Sequence, residues 1–177
     1  MAEYKQSAAE LARELDEQEA ASKAIEKQLK ELQKAYDEAL AINGVLVLSW
    51  PLDTFHESDG FGMRFHPILK QWRLHTGRDM AAPQGTPVHA AAAGTVFYAD
   101  WMSGYGNTVI ILHGNGISTL YGHMSAISVQ PNQHVSKGQI VGKVGSTGQS
   151  TGPHLHFEVR YDGSPGNPVN YVGKLVK

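Results

Sequence analysis

The sequence predicts a mainly β fold, an antiparallel sandwich or groove, preceded by one long helix with coiled-coil character. Two observations carry this. The first 41 residues hold ten acidic and six basic side chains and no glycine, proline or histidine. The remainder contains all 19 glycines, 8 prolines and 9 histidines, the punctuation of short strands and turns. A chain of 177 residues that is 41% hydrophobic suffices for one core-bearing domain plus an appendage, and not for two domains.

The helix comes first. Within residues 1–41, Tyr4, Ala8, Leu11, Leu15, Gln18, Ser22, Ile25, Leu29, Leu32, Tyr36 and Ala39 recur in alternating steps of four and three, the heptad spacing of a coiled coil. About forty residues at 1.5 Å each reach roughly 60 Å, too long to fold back neatly on a small domain. The helix is therefore expected to project and to pair, with a protein partner, a second copy or the other arm of an antiparallel hairpin. Residues 42–49 read as a linker and lead-in strand, jointed at Ala41-Ile42-Asn43-Gly44.

In residues 50–177, and in the lead-in before them, apolar runs are short and bounded by turn residues. They are Val45 to Leu48, Gly94 to Tyr98, Thr108 to Leu112, Ser118 to Tyr121, Gln139 to Val144 and Leu155 to Val159. Tyr105-Gly106-Asn107, His113-Gly114-Asn115-Gly116 and Gly145-Ser146-Thr147-Gly148 supply turns between them. Ala90 to Ala93 lies between Pro87 and Gly94, too short a space for a helix, and reads as a strand of small residues.

Composition narrows the chemistry. A net charge of −2 and a pI near 6.5 leave no basic footprint for nucleic acid. With no cysteine, only His, Asp and Glu remain as ligands for a first-row metal. There is no run of eighteen apolar residues to span a membrane, and the opening twenty lack the features of a secretory signal. Starting inside a heptad pattern, the chain reads as a truncated one.

The histidines are informative through their spacing. In His154-Leu155-His156-Phe157-Glu158-Val159-Arg160 polar and apolar residues alternate strictly. A strand would send Leu155, Phe157 and Val159 to the core and set His154 and His156 side by side on the other face. In His75-Thr76-Gly77-Arg78-Asp79 the internal glycine and the following Ala81-Ala82-Pro83 argue for a strand end or turn. Extended chain places His75, Gly77 and Asp79 on one face, the glycine allowing close approach by another group. With one histidine of the His154-x-His156 pair, these give two nitrogens and a carboxylate, three protein ligands with a fourth position open, as a catalytic zinc requires. His123, closing the strand through Tyr121-Gly122, joins the unligated histidine as a candidate base or oxyanion donor. Spacing alone leaves open which of His154 and His156 binds metal.

These motifs in order, with Gly145-Ser146-Thr147-Gly148 and Gly152-Pro153 ahead of His154, resemble the lysostaphin-type zinc metallopeptidases of bacterial cell walls. Phe61-Gly62-Met63-Arg64-Phe65-His66-Pro67, Gly85-Thr86-Pro87-Val88 and Lys137-Gly138-Gln139 agree with it, and the resemblance covers about residues 50 to 171. It implies one Zn²⁺ per chain on His75, Asp79 and His156, with His123 and His154 acting on the water and the oxyanion. It also implies an antiparallel β groove, a peptidoglycan stem peptide or cross-bridge as substrate, and an extracytoplasmic location. The rival from another class is a non-catalytic activator of a different wall hydrolase, as some coiled-coil members of the family are; the presence of all five site residues favours an enzyme.

Two residues depart from the pattern. Asn132 stands where a glycine is expected after Val129, mild because Asn tolerates left-handed backbone. Arg78 stands where the family has an apolar residue, and an inward-pointing guanidinium would put the metal site in doubt. The remaining histidines, His56, His89, His113 and His134, read as surface or turn residues, His66 as structural, and Glu158 as a non-ligand.

Overall fold

A computed structural model describes residues 8–40, 46–66 and 70–176. The expected joint at Ala41-Ile42-Asn43-Gly44, together with Tyr4, lies outside the described residues. The strands predicted from turn punctuation form. An antiparallel sheet runs in the order His134–Val135, Gly94–Met102, Gly106–Gly114, Ile117–Met124, His154–Tyr161, Arg78–Ala81 and His56–Asp59, with Ser164–Gly166 added beside His154–Tyr161. A smaller sheet of Ala126–Ile127, Ile140–Lys143 and Pro87–His89 faces it. The core between them contains Val88, Val96, Val109, Ile111, Val141, Leu155, Phe157 and Val159. A hairpin, Gly62–His66 with Gln71–His75, leads into the sheet, and Leu46–Val47 pairs with Leu175–Val176.

Ala90 to Ala93 is not a strand. The strand ends at His89, and the four residues that follow bend through the core with Ala90, Ala91 and Ala92 buried. Their backbone groups are satisfied outside any ladder: Ala90 N–H donates to Gln139 O, Gly138 N–H to Ala90 O, and Ala91 N–H to the Tyr121 hydroxyl. Methyl side chains are what allow an irregular backbone to sit this deep. Asn132 has φ 67°, the left-handed conformation expected of it.

The helix forms over Ala8–Leu40 but does not project. Good helix formers and the pairs Arg13–Glu17 and Glu19–Lys23 stabilise it locally, while burial fixes its place. Ile25 and Leu29 pack with Tyr105, Ile110, Leu112 and Leu120 on the outer face of the large sheet. Alternation along Gly106–Gly114 sends Val109 and Ile111 inward and Ile110 and Leu112 outward, so the sheet needs cover on both faces. The stripe expected to recruit a partner is thus the one laid on its own sheet. It departs from the heptad at Leu32, 44% exposed, whereas Gln33 is 1% exposed. Ser22, Ile25, Leu29 and Gln33 take steps of three, four and four, about 3.7 residues per turn, close to the period of a straight helix and longer than the 3.5 of a left-handed supercoil. Polar ties run along its length: Asp16 and Glu19 to Arg73, Ser103 to Glu17, Ser164 to Glu26, Tyr36 to Thr95, and Gly116 N–H to Asp37.

His113, expected at the surface, is buried in Gly106–Gly114, with Nδ1 2.8 Å from Ala93 O and Nε2 2.7 Å from Thr119 Oγ1. Burial pushes its pKa down from 6.5 to about 4. Between these values the unfolded chain binds a proton that the folded chain refuses, so stability present above pH 6.5 drains away as the pH falls towards 4, by about 3 kcal/mol. Melting metal-free wild type and His113→Gln across this window should show a shallower pH dependence in the variant. Parallel curves would exclude the assignment.

Candidate metal centre

His154–Tyr161 is the axis of the site. Its register sets His156 opposite Asp79 on one neighbouring strand and opposite Gly122 on the other. Leu155, Phe157 and Val159 enter the core as predicted, but the other face is no solvent face, since His156, Glu158 and Arg160 are all buried. His75 ends its hairpin strand, and Thr76-Gly77 swings the chain to Asp79. A Cβ on Gly77 would lie 2.8 Å from His156 Nε2 and 2.6 Å from Phe157 O, so glycine is what lets the imidazole approach.

His75, Asp79 and His156 come together with one potential ligand atom each, all within 4.8 Å of one another. Asp79 Oδ1 lies 2.8 Å from His156 Nδ1 and 3.2 Å from His75 Nε2, and the two imidazole nitrogens are 3.2 Å apart. Bonds of about 2.0–2.1 Å in a tetrahedron hold ligand atoms about 3.4 Å apart, so the donor set fits zinc in both size and chemistry. The other ring nitrogens orient the two imidazoles: His75 Nδ1 is 2.7 Å from Gly60 O, and His156 Nε2 is 3.0 Å from Glu158 Oε1. Each imidazole thereby turns its other ring nitrogen towards Asp79.

His154 Nε2 is 3.7 Å from Asp79 Oδ1, and Gly152 O accepts from its Nδ1 at 2.8 Å. His123 reaches the same space by a backbone irregularity. Strict alternation from Gly122, which shares a face with His156, would turn His123 into the core. Between Val109↔Tyr121 and Asn107↔Met124 the strand carries one extra residue, and His123 takes φ 60°. This bulge re-aims the side chain, and the ring lies 4.7 Å from His154 and 5.8 Å from His156, centroid to centroid. Thr147 O, 2.7 Å from His123 Nδ1, fixes the tautomer as Gly152 does for His154. Both rings thus offer Nε2 to the site.

Electrostatics divides these groups. Burial would raise the Asp79 carboxyl, but hydrogen bonds and charge from His156 and His75 hold it far below the usual carboxylate range. Burial would lower His156, but Asp79 and Glu158 bring it up to about 9, so a metal must displace a proton to bind. Burial and then the charges of His156 and His154 press His123 down to about 3, keeping it neutral.

Arg78 points away from the cluster: its guanidinium pairs with Glu57 and lies 5.4 Å from the centroid of the Trp50 ring. Glu158 lies outside the three-residue cluster and supports it from behind His156. It accepts from Tyr105 at 2.9 Å and from Thr76, and the strict alternation of the strand is the signal in the sequence that places it on the histidine face.

Fold and cluster together define an antiparallel β protein with a histidine–carboxylate cluster whose donor set could hold a metal ion. The chain belongs to peptidase family M23, whose model matches residues 73–168. It is 56% identical over 120 residues to the DD-carboxypeptidase/endopeptidase Mpg of Neisseria meningitidis, covering 68% of this chain and 28% of that protein. It is 40% identical over 127 residues to the murein hydrolase activator EnvC of Escherichia coli, covering 71% of this chain and 29% of that one. Among solved structures, a zinc-containing peptidase from Vibrio cholerae superposes with a TM-score of 0.67 at 34% identity, over 70% of this chain and 39% of that chain. The chain thus spans less than a third of the length of these two curated relatives.

Proposed function

We propose that this chain carries a zinc-dependent endopeptidase site for the peptide cross-links of bacterial peptidoglycan, acting outside the cytoplasm. The observation that carries the reading is the convergence of His75 Nε2, Asp79 Oδ1 and His156 Nδ1 beside two further imidazoles whose tautomers are fixed by backbone carbonyls. The family and the names of its relatives supply the substrate class. His75, Asp79 and His156 would hold the zinc. When bound, zinc acts as a Lewis acid and lowers the pKa of water to about 7. His123, neutral and aimed by its bulge, accepts a proton at Nε2 from the attacking water. His154 faces the same space through Nε2, placed to act on the oxyanion that develops on the scissile carbonyl.

The similarity to an activator gives the rival reading its only footing, and the two are separable. Incubation of residues 1–177 with purified, cross-linked peptidoglycan is expected to release uncross-linked peptides in proportion to zinc loaded. A fully loaded chain that releases none, yet raises the rate of a second hydrolase, would establish the activator.

A further inference from the structure

Beyond the metal cluster, the buried face of His154–Tyr161 continues into the helix. Arg160, 0% exposed, donates from Nε to Glu158 Oε2 at 2.6 Å and from its terminal nitrogens to Ser22 O at 3.2 Å, Gly163 O at 3.2 Å and Ser22 Oγ at 2.8 Å. Glu158 turns its other oxygen to His156 Nε2 at 3.0 Å. The line from helix to ligand is thus Ser22, Arg160, Glu158, His156, and all four residues are buried. A buried ion pair adds little net stability, because desolvation consumes most of the attraction. This one is placed directly behind the imidazole whose orientation decides whether Nδ1 faces the other two donors.

We propose that Arg160 is a positioning residue for the metal ligand His156, acting through Glu158, and that the N-terminal helix completes its cage through Ser22. The inference rests on the reading of His75, Asp79 and His156 as a zinc site. The planar guanidinium is shaped for such a role, since Nε holds one carboxylate oxygen while the two terminal nitrogens grip the helix, fixing the rotation that points Oε1 at His156. A lysine keeps the charge but cannot hold both ends of that fork. The helix then does more than cover the outer face of the sheet. It is a wall of the metal centre's support.

The test is zinc affinity, measured on the full chain by competition with a chromophoric chelator, beside the visible spectrum of the cobalt-loaded protein and the thermal melt. Arg160→Lys is expected to weaken zinc binding about 10- to 100-fold, the usual cost of losing an outer partner, and to alter the cobalt spectrum. Ser22→Ala, which removes a single hydroxyl, is expected to weaken it about three- to tenfold, and Ser22→Thr, which restores the hydroxyl, to recover wild-type affinity. If Arg160→Lys does not fold, the Ser22 pair decides by itself. Zinc affinity and cobalt spectrum unchanged within about twofold, with only the melting temperature lowered, would overturn the relay and leave the zinc site standing. A wild-type chain that takes up no zinc would overturn the site and the relay together.

Discussion

Asp79→Asn is expected to abolish zinc retention and with it peptidoglycan cleavage, each by more than about a hundredfold. Asp79 Oδ1 is the centre of the cluster, within 3.2 Å of a ring nitrogen of each of His75 and His156 and 3.7 Å from His154. It is also the carboxylate of the three-residue cluster. Asparagine keeps the shape and removes the charge, leaving two neutral imidazoles to compete with water for a dication. The same substitution strips the protonated His156 of its nearest counter-charge, so the metal-free variant should also melt lower than metal-free wild type. Metal content after dialysis is to be measured beside peptide release on one preparation. One equivalent of zinc retained with full turnover would remove Asp79 from the ligand set.

His123→Gly separates chemistry from binding. The variant is expected to keep zinc within a few-fold of wild type and to lose about 10²–10⁴ in turnover, the range for a positioned proton acceptor. Glycine is the suitable replacement because residue 123 sits at φ 60°, where a side chain costs about 1–2 kcal/mol and glycine meets no steric penalty. The bulge therefore survives while the imidazole disappears. A parallel loss of zinc would make His123 part of the metal's immediate shell; undiminished turnover would exclude it as the proton acceptor.

Much of the fold and of the cluster is legible in the sequence. Turn residues mark the strands, and the ligand spacing can be read because a strand places alternate residues on one face and Gly77 admits a ring. What escapes depends on what packs against what. Val109 to Leu112 is an unbroken apolar run, the mark of a strand buried on both faces, and it calls for cover on an outer face that the heptad pattern alone leaves bare. Leu32 and Gln33 exchange roles because a sheet, unlike a supercoiled partner helix, sets no 3.5-residue period. His113 looks ordinary beside Gly114, since nothing local announces that Ala93 and Thr119 close around it. Arg160 reads as the outer end of an alternating strand, and only the helix, 138 positions earlier in the chain, makes that end an interior. His123 faces the cluster for a reason invisible in sequence: one extra residue in the ladder turns it out of the core.

That separation of 138 positions between Ser22 and Arg160 also orders events on the ribosome. The helix is made before the sheet it packs on, with Ile25 and Leu29 awaiting strands that do not yet exist, and the pairing that seats His156 against Asp79 waits until residue 156 has been added. Contacts so distant in sequence form late. A nascent chain stalled or cut before residue 154 holds His75 and Asp79 without their third companion, and cannot assemble the three-ligand cluster. Assembly of the cluster is thereby deferred until the strand His154–Tyr161 has emerged, a delay built from topology alone.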